Sequence, residues 1–288
     1  MAKAGPQRYP GASTTYWYGS KYPGSAMESN VIVWHTTEGT SLPDYGGGTS
    51  APNFTAKPDF AAKRLVWYQH FDFDTSARAL VNAAGGVETN TLNVCQVEIV
   101  GTCDPATHKK WGSTPHLYTP ELPDWAIRDL AAFAKWAHDN HGVPLTSAVT
   151  FKAYPGSYGT DNGVRMSASK WNSYTGHCGH QHVPENLHGD PGLLPMAAIL
   201  ARAKGATAPT APKEEDGMPT TKEIAEAVLT YRIDDPRTEG TSYKPLKTVL
   251  WWAAADAAQA NERVKELEGH IAALNAKLDR LIAASTQE

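Results

Sequence analysis

Two apolar runs, Val31-Ile32-Val33-Trp34 and Val94 to Val100, are short, continuous and rich in β-branched residues, which is the pattern of strands buried in a sheet. They alternate with stretches of helical periodicity. The clearest opens at Pro123-Asp124, continues through Trp125, Ile127, Leu130, Ala134 and Ala137, and stops near Gly142 with Pro144 just beyond. Proline at the start and glycine at the end are the punctuation of a helix. A second helix begins around Leu194 and closes this part of the chain. Strands that alternate with helices make residues 1–204 an α/β domain.

The pattern changes after residue 204. Residues 205–217, GATAPTAPKEEDG, combine Ala, Pro, Thr and charge without apolar periodicity and read as an extended linker. Residues 218–288 read as a helical C-terminal unit. Within it Leu246, Leu250, Ala253, Ala257, Ala260, Val264, Leu267, Ile271, Leu274, Leu278 and Leu281 follow at alternating steps of four and three, a heptad seam that predicts a coiled coil from about 246 to 284. Val264 and Ile271 at a with Leu267 and Leu274 at d favour a parallel homodimer, and Arg263 at g would face Glu268 at the partner's e position. The alanine stretch is thin and Gly269 costs about 1 kcal/mol relative to alanine, so a trimer or tetramer stays open. So does a helix folded back on Ile224, Val228 and Tyr231. Trp251 and Trp252 lie off the seam, available to wall polymer or to packing. Lys213-Glu214-Glu215 is encoded by purines alone just before Met218, which is compatible with an internal ribosome-binding site and a separately translated 218–288 fragment that co-assembles with the full chain.

Charge narrows the function. Of 288 residues, 26 are Lys or Arg and 30 are Asp or Glu, with 16 and 16 of these before residue 205 and 10 and 14 after it. Neither half has the basic excess that nucleic acid demands. No apolar run is long enough to span a bilayer, and MAKAGPQRYPGAST lacks the apolar core of a signal peptide, so no membrane insertion and a cytoplasmic protein are expected. Cys95, Cys103 and Cys178 are an odd number, which suits a reducing compartment better than a disulfide framework.

The densest chemistry lies in residues 176–192, GHCGHQHVPENLHGDPG, which hold four of the chain's 11 histidines and Asp190. Metal-assisted hydrolysis needs neutral imidazoles with a carboxylate or thiolate, and one coordination position left for water. His35, at the end of the Val31 to Trp34 strand and followed by Thr-Thr-Glu-Gly, is the natural partner from elsewhere in the chain, since strand ends present side chains to clefts.

These residues resemble the zinc N-acetylmuramoyl-L-alanine amidases shared by phage lysins, bacterial wall amidases and peptidoglycan-recognition proteins. The resemblance covers most of residues 8–204 and rests on VIVWHTTEG, on QVEIVG, and on His180 followed at +3 by Val183 and at +10 by Asp190-Pro191-Gly192. NAAGGVETNTLNVCQVEIVGTCD and GHQHVPENLHGDPG are most similar to endolysins of tailed phages of high-GC Gram-positive hosts. It implies a mixed central sheet flanked by helices, with Zn²⁺ held by His35, His180 and Asp190. It further implies Glu98 as general base and acid and His188 as stabiliser of the oxyanion. Peptidoglycan is then the substrate and host lysis the outcome, the wall being reached after membrane permeabilisation. Two features depart from the family: His188 stands where many members have lysine, and SARALVNAAGGVETN replaces a region that often carries a second Trp-His pair.

Several alternatives remain open at this level. Glu38, three residues after His35, competes with Glu98 as the base. Val183 anchors the register on His180, which leaves His182 as a rim or supporting residue and His177 as one that caps or orients the loop. Cys178 is a possible substitute ligand, and Trp34, Trp67 and Trp171 read as core. A non-catalytic peptidoglycan-binding protein and a zinc endopeptidase acting on the stem peptide are the rival functions.

Overall fold

The computed structural model describes residues 5–205 and two short strands, Arg232–Asp234 and Tyr243–Pro245. The chain forms two compact units, Met1–Ala208 and Pro209–Glu288.

The first unit is built on the strands β1 (Val31–Thr36), β2 (Phe54–Asp59), β3 (Arg64–Gln69), β4 (Val94–Ile99) and β5 (Gly176–Gly179). They form one mixed sheet in the order β3-β2-β4-β1-β5. β1 runs parallel to both its neighbours, β4 and β5, and β2 runs parallel to β4, while β3 alone is antiparallel. The two runs read from the sequence as buried strands are therefore the centre of the sheet. The β2–β3 hairpin was not apparent in the pattern, because Lys57, Pro58 and Asp59 interrupt it. Pro58 is tolerated because β4 pairs with β2 only from Phe54 to Ala56, so the missing N–H costs no ladder bond.

A single turn α1 (Tyr45–Gly48), α2 (Pro105–Trp111), α3 (Asp124–His141), α4 (Ala168–Asn172) and α5 (Met196–Ala203) complete the unit. α3 is the helix read from the sequence. Asp124 lies in its first turn, and Gly142 takes the left-handed conformation (φ 71°), its N–H returning to the last-turn carbonyls. Ala126, Leu130, Phe133, Ala134 and Ala137 form its buried stripe. That stripe covers one face of the sheet, made by Ile32 and Trp34 of β1 and by Cys95, Val97 and Ile99 of β4. Phe133 stacks on Trp67 of β3 with ring centres 4.5 Å apart.

The alternation of the strands then decides where chemistry can lie. Val31 and Val33 point to the other face, where they pack with Val94, Cys178, Trp171 and Val183. His35 continues that row at the carboxyl end of β1, and Glu98 continues the equivalent row of β4 directly opposite it in register. The carboxyl ends of parallel strands are where open α/β sheets bind ligands.

In the second unit, β6 (Arg232–Asp234) and β7 (Tyr243–Pro245) pair antiparallel, with Ile233 opposite Lys244. Within residues 218–288, read from the sequence as helical, these two described segments are strands, and β7 ends at Pro245, just before the predicted seam. The linker beyond Gly205, Met218 and the seam from 246 to 284 lie outside the described residues. Among the described residues no helix is long and apolar enough to cross a membrane.

Candidate metal centre

β1 delivers His35, which is 1% exposed, and β5 leads directly into a 3₁₀ turn, His180–His182, that delivers His180. The following loop returns Asp190, whose backbone carbonyl accepts from Gln181 N at 2.9 Å and so closes the loop on itself. His35 Nδ1 and His180 Nδ1 are 3.1 Å apart. Asp190 Oδ2 lies 3.4 Å from His35 Nδ1, and Oδ1 lies 3.2 Å from His180 Nδ1. These three buried groups can hold a metal ion.

The hydrogen bonds around them fix which atoms are free to ligate. The N–H of Thr36 donates to Asp190 Oδ2 at 3.2 Å, which orients the carboxylate from the strand that carries His35. Asn186 is set by its own network: Oδ1 accepts from Val81 N at 2.9 Å, and Nδ2 donates to Val81 O and Pro184 O. Its Oδ1 must therefore accept from His180 Nε2, 3.0 Å away, which places the His180 proton on Nε2 and leaves a lone pair on Nδ1. That lone pair faces His35 Nδ1 and the Asp190 carboxylate. In the His35 tautomer with its proton on Nε2, three acceptors turn toward one another, an arrangement that a cation between them stabilises, and two imidazoles with one carboxylate suit a divalent transition metal.

Charge follows the same geometry. Burial first, and then the neighbouring His180, lower the His35 imidazole to about 4, so it is neutral at physiological pH as a ligand must be. Burial alone would raise Asp190, but His180 and His35 outweigh it and hold the carboxyl well below its ordinary range. Glu98 is pushed well above the ordinary carboxyl range by burial first and then by the negative charges of Asp190 and Glu38. Its Oε2 is buried without a hydrogen-bond partner, and so is His35 Nε2. A carboxyl group without a fixed partner, raised in pKa beside a metal site, is suited to taking up and releasing a proton.

Glu38 is placed differently. Thr36 Oγ1 donates to its Oε1 at 2.6 Å, Cys103 N donates to the same oxygen at 3.0 Å, and Thr102 Oγ1 donates to Oε2. Both its oxygens are engaged in tying β1 to the loop after β4. His188 is the exposed member of the group. Its ring stacks on His180 with centres 4.9 Å apart and an interplanar angle of 13°, and its Nδ1 lies 3.8 Å from Asp190 Oδ1. A cleft of about 470 Å³ collects Glu98, His180, His188, Asp190, Glu38 and Tyr45.

The five residues singled out in the sequence, His35, Glu98, His180, His188 and Asp190, thus come together. The other three do not join them. His182 is fully buried behind the turn rather than on a rim, its Nδ1 accepting from Gly179 N and its Nε2 facing Thr150 O, both at 2.9 Å. Trp34 Nε1 donates to His177 Nδ1 at 3.2 Å, which turns that ring into the core. Cys178 packs among Val31 and Val33 as a free thiol and is no ligand. Asn186 and Tyr45 were not apparent in the sequence. Tyr45 is half-buried against Thr55, whose Oγ1 is 2.6 Å from its hydroxyl, and its only sequence signal is the Gly46-Gly47-Gly48 run beside it.

No family model and no curated protein matches the chain. A solved structure of a mutant of PlyL is 14% identical, covers 46% of this chain and 74% of its own, and superposes with a TM-score of 0.29. A likeness of that size bears on neither fold nor activity.

Proposed function

We propose that this protein is a zinc-dependent N-acetylmuramoyl-L-alanine amidase of the phage-lysin kind, hydrolysing the amide between the lactyl group of N-acetylmuramic acid and L-alanine in peptidoglycan. The observation that carries the reading is the convergence of His35 Nδ1, His180 Nδ1 and Asp190 at mutual distances of 3.1 to 3.4 Å, beside a carboxyl group without a partner on Glu98. Ligands about 2.0 to 2.1 Å from a tetrahedral zinc stand roughly 3.3 to 3.4 Å apart. Three protein ligands and an open fourth position are the pattern of a catalytic zinc site. The amide specificity rests on the resemblance of VIVWHTTEG, QVEIVG and GHQHVPENLHGDPG to the amidase motifs.

When bound, Zn²⁺ polarises the scissile carbonyl and makes water acidic enough to lose a proton near neutral pH. Glu98 accepts that proton and returns it to the departing amine of L-alanine. His188, exposed and stacked on His180, donates a hydrogen bond to the carbonyl oxygen as negative charge develops on it. The burial of His35 and Asp190 keeps bulk water from competing for the ligand atoms. Oligomerisation through the 246–284 seam, a dimer first, would bring several such sites to one polymeric substrate and raise avidity without new contacts. Sedimentation of the full chain reads that part.

The activity is tested by digesting purified peptidoglycan with and without a zinc chelator while following new N-terminal residues and new reducing sugars. Chelator-sensitive release of L-alanine ends without reducing ends is the expected result. A different amino end would identify an endopeptidase. No new ends from a zinc-loaded protein that still sediments with the wall would identify a binding protein.

A further inference from the structure

The loop that carries the metal-binding residues is held from behind by one side chain outside every motif. Arg165 is half-buried, and each of its N–H groups meets a backbone carbonyl. Nε donates to Gly159 O at 3.1 Å; Nη1 donates to His180 O at 3.2 Å and Val183 O at 2.6 Å; Nη2 donates to Gly159 O at 3.0 Å and His188 O at 3.2 Å. A guanidinium has five N–H donors in a fixed planar fork, and here all five are used. Two of the four carbonyls belong to His180 and His188.

We infer that Arg165 is a positioning residue for the metal centre: its fork fixes the backbone of His180, Val183 and His188 and thereby holds the His180 Nδ1 atom on the metal site and the His188 ring against it. The inference rests on the zinc reading above and adds a residue to it.

The fork is itself held rigidly. Asn162 Oδ1 accepts from Arg165 N and from Val164 N, each at 2.9 Å, while its Nδ2 reaches Ser157 O at 2.6 Å and Gln181 O at 2.9 Å. Ser157 Oγ donates to Gly189 O at 2.6 Å. The two loops lie so close that a Cβ on Gly189 would come within 2.7 Å of the Tyr158 backbone nitrogen. His180 is thus fixed from two sides, its outer nitrogen by Asn186 and its carbonyl by Arg165. The charge of Arg165 also faces Asp190. Lysine would keep that charge, but one ammonium cannot serve four carbonyls spread in a plane.

Arg165→Lys therefore separates a fork from a charge. The measurement is the zinc affinity of the full chain by competition with a chromogenic chelator, with thermal unfolding followed in parallel. Arg165→Lys is expected to bind zinc about 10- to 100-fold more weakly, the usual cost of losing a support behind a metal ligand. Arg165→Gln, with a planar head that can serve some of the carbonyls, keeps the test available if the lysine variant does not fold and is expected to be weakened likewise. Gln69→Ala removes three hydrogen bonds of a buried side chain on β3, to Tyr9 N, Gln7 O and Phe71 O, away from the metal-binding residues, and should lower the melting temperature with zinc affinity unchanged. Wild-type affinity in a folded Arg165 variant, or an equal loss in Gln69→Ala, would overturn the role of Arg165 and leave the zinc site standing. Wild-type protein that binds no zinc would remove the reading beneath it and the inference together.

Discussion

The side-chain oxygen of Asn186 lies 3.0 Å from His180 Nε2 and, because it already accepts from Val81 N, can only be an acceptor there. One hydrogen bond thus selects the His180 tautomer whose Nδ1 lone pair faces His35 and Asp190. Asn186→Ala should weaken zinc binding by about 10- to 100-fold while the sheet stays folded. Chelator competition on the purified variant measures this, and an affinity equal to wild type would mean that the tautomer is set elsewhere.

Glu98 is opposite His35 in register but is not among the groups that converge on the metal position. Glu98→Gln should consequently retain zinc at the wild-type stoichiometry and lose turnover by at least about 100-fold, the lower end of what a general acid–base group contributes. Loss of zinc in this variant would make Glu98 a ligand.

Glu38 should behave in the opposite way. Its carboxylate accepts from Thr36, Thr102 and Cys103 and ties β1 to the loop after β4. Glu38→Gln replaces an acceptor with a donor among three donors, at a cost of about 1–3 kcal/mol in stability. The rate is expected to stay within about tenfold of wild type at a temperature where both are folded. A loss of turnover without a loss of melting temperature would return Glu38 to the list of bases.

The pH dependence of stability has an identifiable source away from the metal. His70 is fully buried between the Tyr18 ring, stacked at 5.5 Å, and the Tyr45 ring, edge-on at 5.4 Å, and burial lowers it from 6.5 to about 4. A histidine whose folded pKa is depressed contributes stability that is fully present above its unfolded value and is lost as pH falls through the folded one. Between pH 6.5 and 4 this amounts to about 2–3 kcal/mol for His70. His182, lowered to about 4 by burial, adds to the loss in the same direction. Urea unfolding of His70→Gln across that range should show a shallower acid slope than wild type; parallel slopes would mean that His70 is not buried neutral.

Much of this was legible in the chain itself. The continuous apolar runs of β1 and β4 and the bounded periodicity of α3 are strong signals, because burial on both sides of a sheet and the 3.6-residue repeat each leave a mark in sequence order. The five site residues were legible through their motifs. The β2–β3 hairpin was not, since Lys57, Pro58 and Asp59 break the apolar run of β2, and the place of β2 inside the sheet depends on β4, far along the chain. Asn186 and Arg165 left no mark for a related reason. Each acts through backbone carbonyls or a ring nitrogen brought near by folding, and a side chain that bonds to backbone needs no particular neighbour in sequence. The sequence left His182 as either a rim or a supporting residue, because histidine in a histidine-rich loop looks exposed, whereas both its nitrogens are satisfied inside the protein.

The most direct measurement compares zinc-loaded wild type and zinc-loaded Glu98→Gln on the same purified peptidoglycan, counting L-alanine N-termini released per bound zinc. Steady appearance of L-alanine ends with the wild type, and none above background with the variant at equal zinc content, is the predicted result. Equal release by both proteins, or release of a different amino terminus by the wild type, would contradict an amidase that uses Glu98 beside a His35–His180–Asp190 zinc site.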